Sequence, residues 1–361
     1  MSDRIEPARC QPGTDSPLSR LGIQRPMWSL TVEPFYLTLF MGTPIWLWLT
    51  FLALVAALLA FDLGVLNRKE HEIGVAESLR LSAFYITLGV LFGGFVWYQL
   101  GAEPAAEYMT AFVVEKTLAM DNVFVIALIF TTLSIPRRYQ HRVLFWGILG
   151  VIVLRAIMIG VGATLIAEYS WILYIFAAFL ILTGFKMLFV GDKEHDMASN
   201  PVLKFLRRRM PLTDDLHGQS FIVKQPDPRT GRIRRFATPL LLALVMIEIA
   251  DVIFAVDSVP AVFAITTDPY IVYTSNIFAI LGLRALFFAL AAIIHRFEYL
   301  KQALAILLIF IGSKVFLADL MGLEKFPPAV SLGITFAILG AGVAWSLWRT
   351  RGDSPPPPSG A

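Results

Sequence analysis

Nine stretches of about 20 predominantly apolar residues recur along the chain, each long enough, at a helical rise of 1.5 Å per residue, to cross a hydrocarbon layer roughly 30 Å thick. They cover approximately residues 44–66, 79–100, 111–134, 143–166, 171–190, 238–265, 273–294, 303–320 and 327–348. The expected fold class is therefore all-α: a polytopic membrane protein of about nine transmembrane helices. Composition agrees, since 57% of residues are hydrophobic and 16% are charged, against about 25% charged in a soluble domain. A formal charge of +3 points to no nucleic-acid partner, and the apolar runs point to the lipid bilayer. Cys10 is the one cysteine, so a disulfide framework or thiolate metal cluster within the chain is excluded.

The flanks differ from the spans. Residues 1–42 form a polar N-terminal region lacking the ordered features of a signal peptide; its segment 27–41, broken by Glu33 and Pro34, is expected as a short interfacial helix. The tail 349–361, with its run Pro355 to Pro358, reads as an extended end. Lys and Arg accumulate in alternate connections: Arg68, Lys69 and Arg80; Arg137, Arg138 and Arg142; Arg207 to Arg209 and Arg232, Arg234 and Arg235; Arg296 and Lys301; Arg349 and Arg351. The positive-inside rule then places the N-terminus outside and the C-terminus inside. The connection 191–237 is expected as a basic, largely irregular cytoplasmic linker containing Pro226, Pro228 and Gly231.

Polar residues inside the spans reveal an internal repeat. The third span carries Glu115, Asp121 and Asn122, and the sixth carries Asp251, Asp257 and Ser258, with the same spacing. The fourth holds Gly150 and Arg155, and the seventh Gly282 and Arg284; the fifth and eighth hold Gly184 with Lys186 and Gly312 with Lys314. A unit of three spans is odd, so its two copies, 111–190 and 238–320, are expected in opposite orientations, the inverted-repeat plan of many secondary transporters. The two spans of 43–110 and the final span of 321–348 lie outside this duplicated core.

Ionisable residues at membrane depth are costly, about 2.5–3.5 kcal/mol each on insertion scales, so a set this large must be paired, hydrated or ion-bound. Glu115, Asp121, Asn122, Asp251, Asp257 and Ser258, with Glu248 one turn before Asp251, offer only oxygen. That donor set suits a hard or borderline divalent cation such as Mn²⁺, Mg²⁺ or Ca²⁺. None of the five histidines, His71, His141, His195, His217 and His295, lies well inside a span. Residues i and i+7 share a helix face whereas i and i+6 lie about 120° apart, so Glu115 aligns with Asn122 and not with Asp121. One ion can meet both acids only where a helix is distorted or several converge, and Pro260 supplies a reason for distortion beside Asp257. Lys116, Arg155, Lys186, Arg284 and Lys314 are the expected charge partners. The arginines act either as fixed counter-charges or as mobile ones that occupy the acids when the metal has left. Asp62 reads as an interfacial, solvated acid or a mouth ligand, and Met120 and Met246 as packing residues.

The stretches EKTLAMDNVFV (115–125), HRVLFWGILGVIVLR (141–155), EIADVIFAVDSVPAVFAIT (248–266) and TSNIFAILGLR (274–284) resemble the TerC/Alx family of bacterial integral membrane proteins, and the similarity runs from about residue 43 to 345. That resemblance implies a manganese exporter using the acids of the third and sixth spans, in a family tied by name to tellurium resistance and, in its Alx-like branch, to pH-linked control. The expected function is export of a divalent cation, most of all Mn²⁺, by alternating access between the repeats, with H⁺ as a candidate coupling ion and no permanently bound cofactor. The alternative is a membrane scaffold in a tellurite or metal-stress complex that docks through 191–237. An enzyme is not expected, since no nucleophile–base pair or phosphate loop stands out. Oligomeric state is left open.

Overall fold

Apolar runs flanked by glycine, proline and charged residues close into helices, as the lipid setting requires of backbone that must pair with itself. The computed structural model describes residues 38–64, 75–189, 201–209, 211–213, 215–226, 232–290, 300–323 and 325–349. Contacts divide the chain into two units, 1–52 and 53–361. In the first, strands β1 (Leu39–Phe40) and β2 (Thr43–Pro44) pair through a two-residue turn in which Met41 and Gly42 both have positive φ, 52° and 83°, the geometry that matches strand twist. Trp48 Nε1 donates to the Phe40 carbonyl at 3.1 Å and stacks edge-on to its ring. Of the interfacial helix expected over 27–41, only 38–41 are described, and these are strand and turn.

Eleven helices follow in chain order: α1 (Ile45–Gly64), α2 (Val75–Leu100), α3 (Ala102–Thr132), α4 (Arg137–Glu168), α5 (Ile172–Phe189), α6 (Pro201–Arg209), α7 (Pro239–Phe263), α8 (Pro269–Ile280), α9 (Leu283–Leu290), α10 (Leu300–Leu320) and α11 (Pro328–Arg349). Seven of them, α1, α2, α4, α5, α7, α10 and α11, are long and apolar enough to cross a membrane. The other two of the nine expected spans depart from a plain apolar helix. Helix α3 has 31 residues but carries Glu103, Glu107, Glu115, Lys116 and Asp121. The segment 273–294 is interrupted: α8 stops at Ile280 and α9 starts at Leu283, with Gly282 at φ 84° between them. That positive φ is open to glycine without a Cβ penalty.

Polarity is inverted relative to a soluble protein. Large apolar side chains such as Leu182, Phe189 and Leu320 are exposed while Glu115, Arg155 and Asp251 are buried. Trp97, Tyr98, Tyr169 and Trp171 are exposed at helix ends and Trp345 and Trp348 near the end of α11, positions that suit aromatic side chains at a membrane–water boundary.

The linker 191–237 is more ordered than expected. Its described part holds α6 and an antiparallel pair, β3 (Ile222–Pro226) with β4 (Ile233–Ala237). Leu203 of α6 is buried, and Val202 and Leu206 pack against the apolar cluster of α3, α4 and α7. Burial alternates along β3, the period of two of a strand, although its residue types, Ile222-Val223-Lys224-Gln225-Pro226, do not alternate and so give no sign of it.

Helices α5 and α10 approach most closely through small residues. A Cβ at Gly184 would lie 2.7 Å from the Ala305 carbonyl and 2.6 Å from Ile309; one at Gly312 would lie 2.5 Å from the Ala177 carbonyl and 2.8 Å from Ile181. One constant shift in numbering converts the first set of residues into the second, so the contact is reciprocal. Close backbone approach of this kind is how helices associate where lipid removes the hydrophobic drive. Gly312→Val is therefore expected to destabilise the bundle by about 1–3 kcal/mol through overpacking, read as a lower melting temperature in detergent, while Gly333→Ala, where a Cβ meets nothing within 4 Å, leaves it unchanged.

A buried arginine shared by two carboxylates as the candidate site

Four helices bring their polar residues to one point. The spacing that sets Glu115 and Asn122 on one face of α3 does the same for Asp251 and Ser258 on α7, and these two faces meet across Arg155 of α4. Arg155 is 1% exposed and Glu115 is fully buried. The guanidinium engages Asp251 as a fork, Nη2 to Oδ1 at 3.0 Å and Nε to Oδ2 at 3.3 Å, the bidentate geometry that gives arginine its hold on carboxylates. Its Nη1 donates to Glu115 Oε1, to Ser258 Oγ at 3.2 Å and to Asn276 Oδ1 of α8 at 3.2 Å. Asn122 Nδ2 adds a bond to Asp251 Oδ1 at 3.3 Å. Glu115, Arg155 and Asp251 all lie near the middle of their helices.

With both carboxylates ionised, one guanidinium would leave the group a negative charge in excess. Glu115 Oε2 and Asn276 Nδ2 are also buried without a hydrogen-bond partner, an expensive state at this depth. A cavity of about 20 Å³, enough for roughly one water, is lined by Asn122 and Asp251 of this group together with Ile148, Ile247 and Leu283. The arrangement can accept a proton or a small cation.

Glu248 does not reach this group. It lies one turn earlier on α7, against α4, where a Cβ at Gly150 would overlap its carboxylate; its Oε2 is buried without a partner. The glycine of the repeat marker thus leaves room for an acid. Asp257 is also elsewhere: the six-residue interval turns it toward α5, where Thr183 Oγ1 donates to it at 3.3 Å and Lys186 attracts it. Pro260 does not create the expected break, since α7 runs through it to Phe263. The single site of seven oxygen donors is thus not assembled. Glu115, Asn122, Asp251 and Ser258 come together, Glu248 and Asp257 do not, and among the described residues no group of three acids, histidines or cysteines is placed to hold a metal. The side chains of Asp121 on α3 and Arg284 on α9 lie outside the described residues.

The lysines also depart from simple ion pairing. Lys116 donates to the carbonyls of Ala279 at 2.9 Å and Leu281 at 3.4 Å, the acceptors that the break after α8 leaves open, where a cation is favoured at a helix C-terminus. Buried Lys314 donates to Ser331 Oγ at 3.3 Å in the field of Glu107, and Lys186 is exposed. Two participants escaped the sequence reading. Asn276 belongs to a polar run, Thr274 to Asn276, inside an apolar segment, which was the available signal. Glu107, assigned to a connection, is buried in α3, where it accepts from Thr266 and pairs with Lys325 at 3.4 Å.

The charge excess has a measurable consequence. Arg155→Met strands two buried acids and is expected to cost about 3–5 kcal/mol, whereas Glu115→Gln leaves a balanced Arg155–Asp251 pair and holds or raises the melting temperature in detergent. A large loss of stability in Glu115→Gln would show that both charges are already compensated.

Comparison with known proteins is consistent along the bundle. The integral membrane protein TerC family matches residues 100–354. The chain is 45% identical over 305 residues to STKORF319, a membrane protein of Myxococcus xanthus, covering 84% of this chain and 93% of that one. A membrane protein of Rickettsia felis is 47% identical over 302 residues, 84% of this chain and 97% of that one. Alx of Escherichia coli K12, named as a membrane-bound redox modulator, is 44% identical over 307 residues, 82% of this chain and 92% of its own. No solved structure matches. With the family matched over most of its length and these relatives covered almost end to end, the chain belongs to the TerC family of integral membrane proteins.

Proposed function

We propose that this protein exports a divalent cation, Mn²⁺ above others, across the bacterial cytoplasmic membrane by alternating access at the Glu115–Asp251 site. The observation that carries this reading is the unbalanced pair of buried carboxylates around Arg155, with an unpartnered Glu115 oxygen at mid-helix depth. Such a site is relieved by positive charge, and its donors are oxygens of the class that favours Mn²⁺ over softer ions. Arg155 is then an internal cation: it holds the acids while no metal is bound and withdraws as the ion enters. Asp257, Asp121 and Glu248, spaced along the same helices, provide further acids on the route.

The reciprocal contacts of Gly184 with Ala305 and Ile309 and of Gly312 with Ala177 and Ile181 support two halves related by a two-fold axis, the arrangement in which one half rocks against the other. In this reading the basic connections face the cytoplasm, with the N-terminus outside and the C-terminus inside. The name of the Alx relative raises redox chemistry as a second class of function, but Cys10 is this chain's one cysteine, so an intrachain dithiol is not available to it. The scaffold reading places function in 191–237 and makes the buried acids dispensable.

The direct test is total cellular Mn in bacteria lacking their own exporter. Wild-type protein is expected to lower it, and Asp251→Asn to abolish the effect while still inserting in the membrane. Full export by Asp251→Asn would overturn the proposal, and loss of function only on excision within 191–237 would favour a scaffold.

A further inference from the structure

A second buried acid lies apart from the central site. Asp62, near the end of α1, is 8% exposed, contrary to the solvated position expected for it, and accepts a hydrogen bond from Tyr85 of α2 at 3.5 Å. The two line a cavity of about 20 Å³, again room for roughly one water, whose far wall is Leu281, Gly282 and Ile148. Tyr85 packs directly on Gly282, where any Cβ would collide with it. The cavity at Asn122 and Asp251 lies on the other side of the same wall, sharing Ile148 and touching Leu283. Non-helical backbone at membrane depth persists only where it is buried in protein or lines a water-filled space; the break at 281–282 lines the Asp62 cavity, and Leu283, the first residue of α9, lines the other.

Helix α2 continues this line toward its own start. Ser78 and Ser82 lie on the same face as Tyr85 by their spacing; they are 0% and 5% exposed, and neither hydroxyl has a hydrogen-bond partner. Buried Thr110 and Thr274, by contrast, bond back to the Ala106 and Tyr270 carbonyls, while Thr335 Oγ1 of α11 shares the serines' state. Two orphaned serines in register with a tyrosine and an acid make a file of groups that water can bridge. Of titratable residues bounding the Asp62 cavity, the described ones are Asp62 and Tyr85; Lys116 approaches from α3 through the Leu281 carbonyl, and Glu77 and Arg80 lie toward the start of α2.

We propose that Ser78, Ser82, Tyr85 and Asp62 form a proton route from the end of the bundle where α1 stops and α2 starts to the Gly282 break beside the central site. It rests on the exporter reading, in which protons enter as metal leaves; the route delivers them to the cytoplasmic side. Water-sized cavities and hydroxyls suit proton transfer and not passage of a divalent ion, so the two α1–α2 spans are part of the coupling machinery and not accessory.

The test uses the full-length protein in liposomes of bacterial polar lipid with a trapped pH dye and an imposed Mn²⁺ gradient. Wild type is expected to move protons against Mn²⁺. Asp62→Asn and Ser82→Val are expected to lose the proton movement while retaining wild-type Mn²⁺ binding in detergent, with Ser82→Val carrying the result should Asp62→Asn fail to fold. Wild-type proton movement in both variants, or Mn²⁺ movement by the wild type without protons, would overturn the route and leave the exporter reading standing. Absence of Mn²⁺ movement in the wild type would overturn the exporter reading and the route with it.

Discussion

A guanidinium held between two carboxylates in the middle of the bundle is the interaction to which the other helices are fitted. Removing three charged groups from water costs several kcal/mol per ion, recovered only when geometry is good and the remaining donors and acceptors are satisfied. The bidentate fork of Arg155 on Asp251 meets the first condition. Asn122, Ser258 and Asn276, each from a helix that also packs against apolar neighbours, partly meet the second. Helices α3, α4, α7 and α8 cannot separate without exposing charges to a low-dielectric interior, so the cluster sets their mutual registration. What it leaves unsatisfied, one carboxylate oxygen and one amide nitrogen, marks where the site has capacity to spare.

The same helix, α3, is tied to α8 twice. Glu115 reaches it through Arg155 and Asn276, and Lys116 through the carbonyls exposed by the Gly282 break. Adjacent residues on a helix point about 100° apart, which lets one side chain serve the acid cluster and its neighbour serve a broken helix end. The positions of α8 and of the charge cluster are consequently linked: a shift at the break changes the distance from Asn276 to Arg155. Many secondary transporters build their binding sites at discontinuous helices; in this chain the interrupted segment is α8–α9, not the proline-bearing α7.

Much of this was legible in the sequence because lipid imposes simple rules. Run length located apolar spans, and seven-residue spacing aligned Glu115 with Asn122, as Asp251 and Ser258 are also aligned on α7. The same arithmetic warned that Asp257 would point elsewhere, and it does, toward Thr183. The failures share a cause. Proline was weighted as the breaker, yet Pro260 stands four residues from the end of α7, where one missing donor does not stop the helix, while Gly282 breaks a segment through its positive φ. Glu107 looked like a loop acid because its surroundings are polar, but α3 starts at Ala102 and carries it inward to Thr266 and Lys325. Side-chain partnership across helices far apart in sequence, such as Arg155 with Asn276, leaves no periodic trace.

The two halves are alike in sequence but unequal in structure, and the inequality falls on the chemistry. Arg155 stands five residues after Gly150 on the unbroken α4, while Arg284 stands two residues after Gly282, beyond the interruption. Corresponding glycines also serve different neighbours: Gly150 leaves room for the Glu248 carboxylate and Gly282 for the Tyr85 ring. A perfectly symmetric pair of repeats would place identical charges on both sides of its axis. Here one half supplies Arg155, on an unbroken helix, to the acids, and the other supplies an interrupted helix whose open carbonyls Lys116 caps, so the guanidinium and the break belong to different halves. The reciprocal α5–α10 contact, by comparison, is made between glycine, alanine and isoleucine, so close packing and not charge defines it.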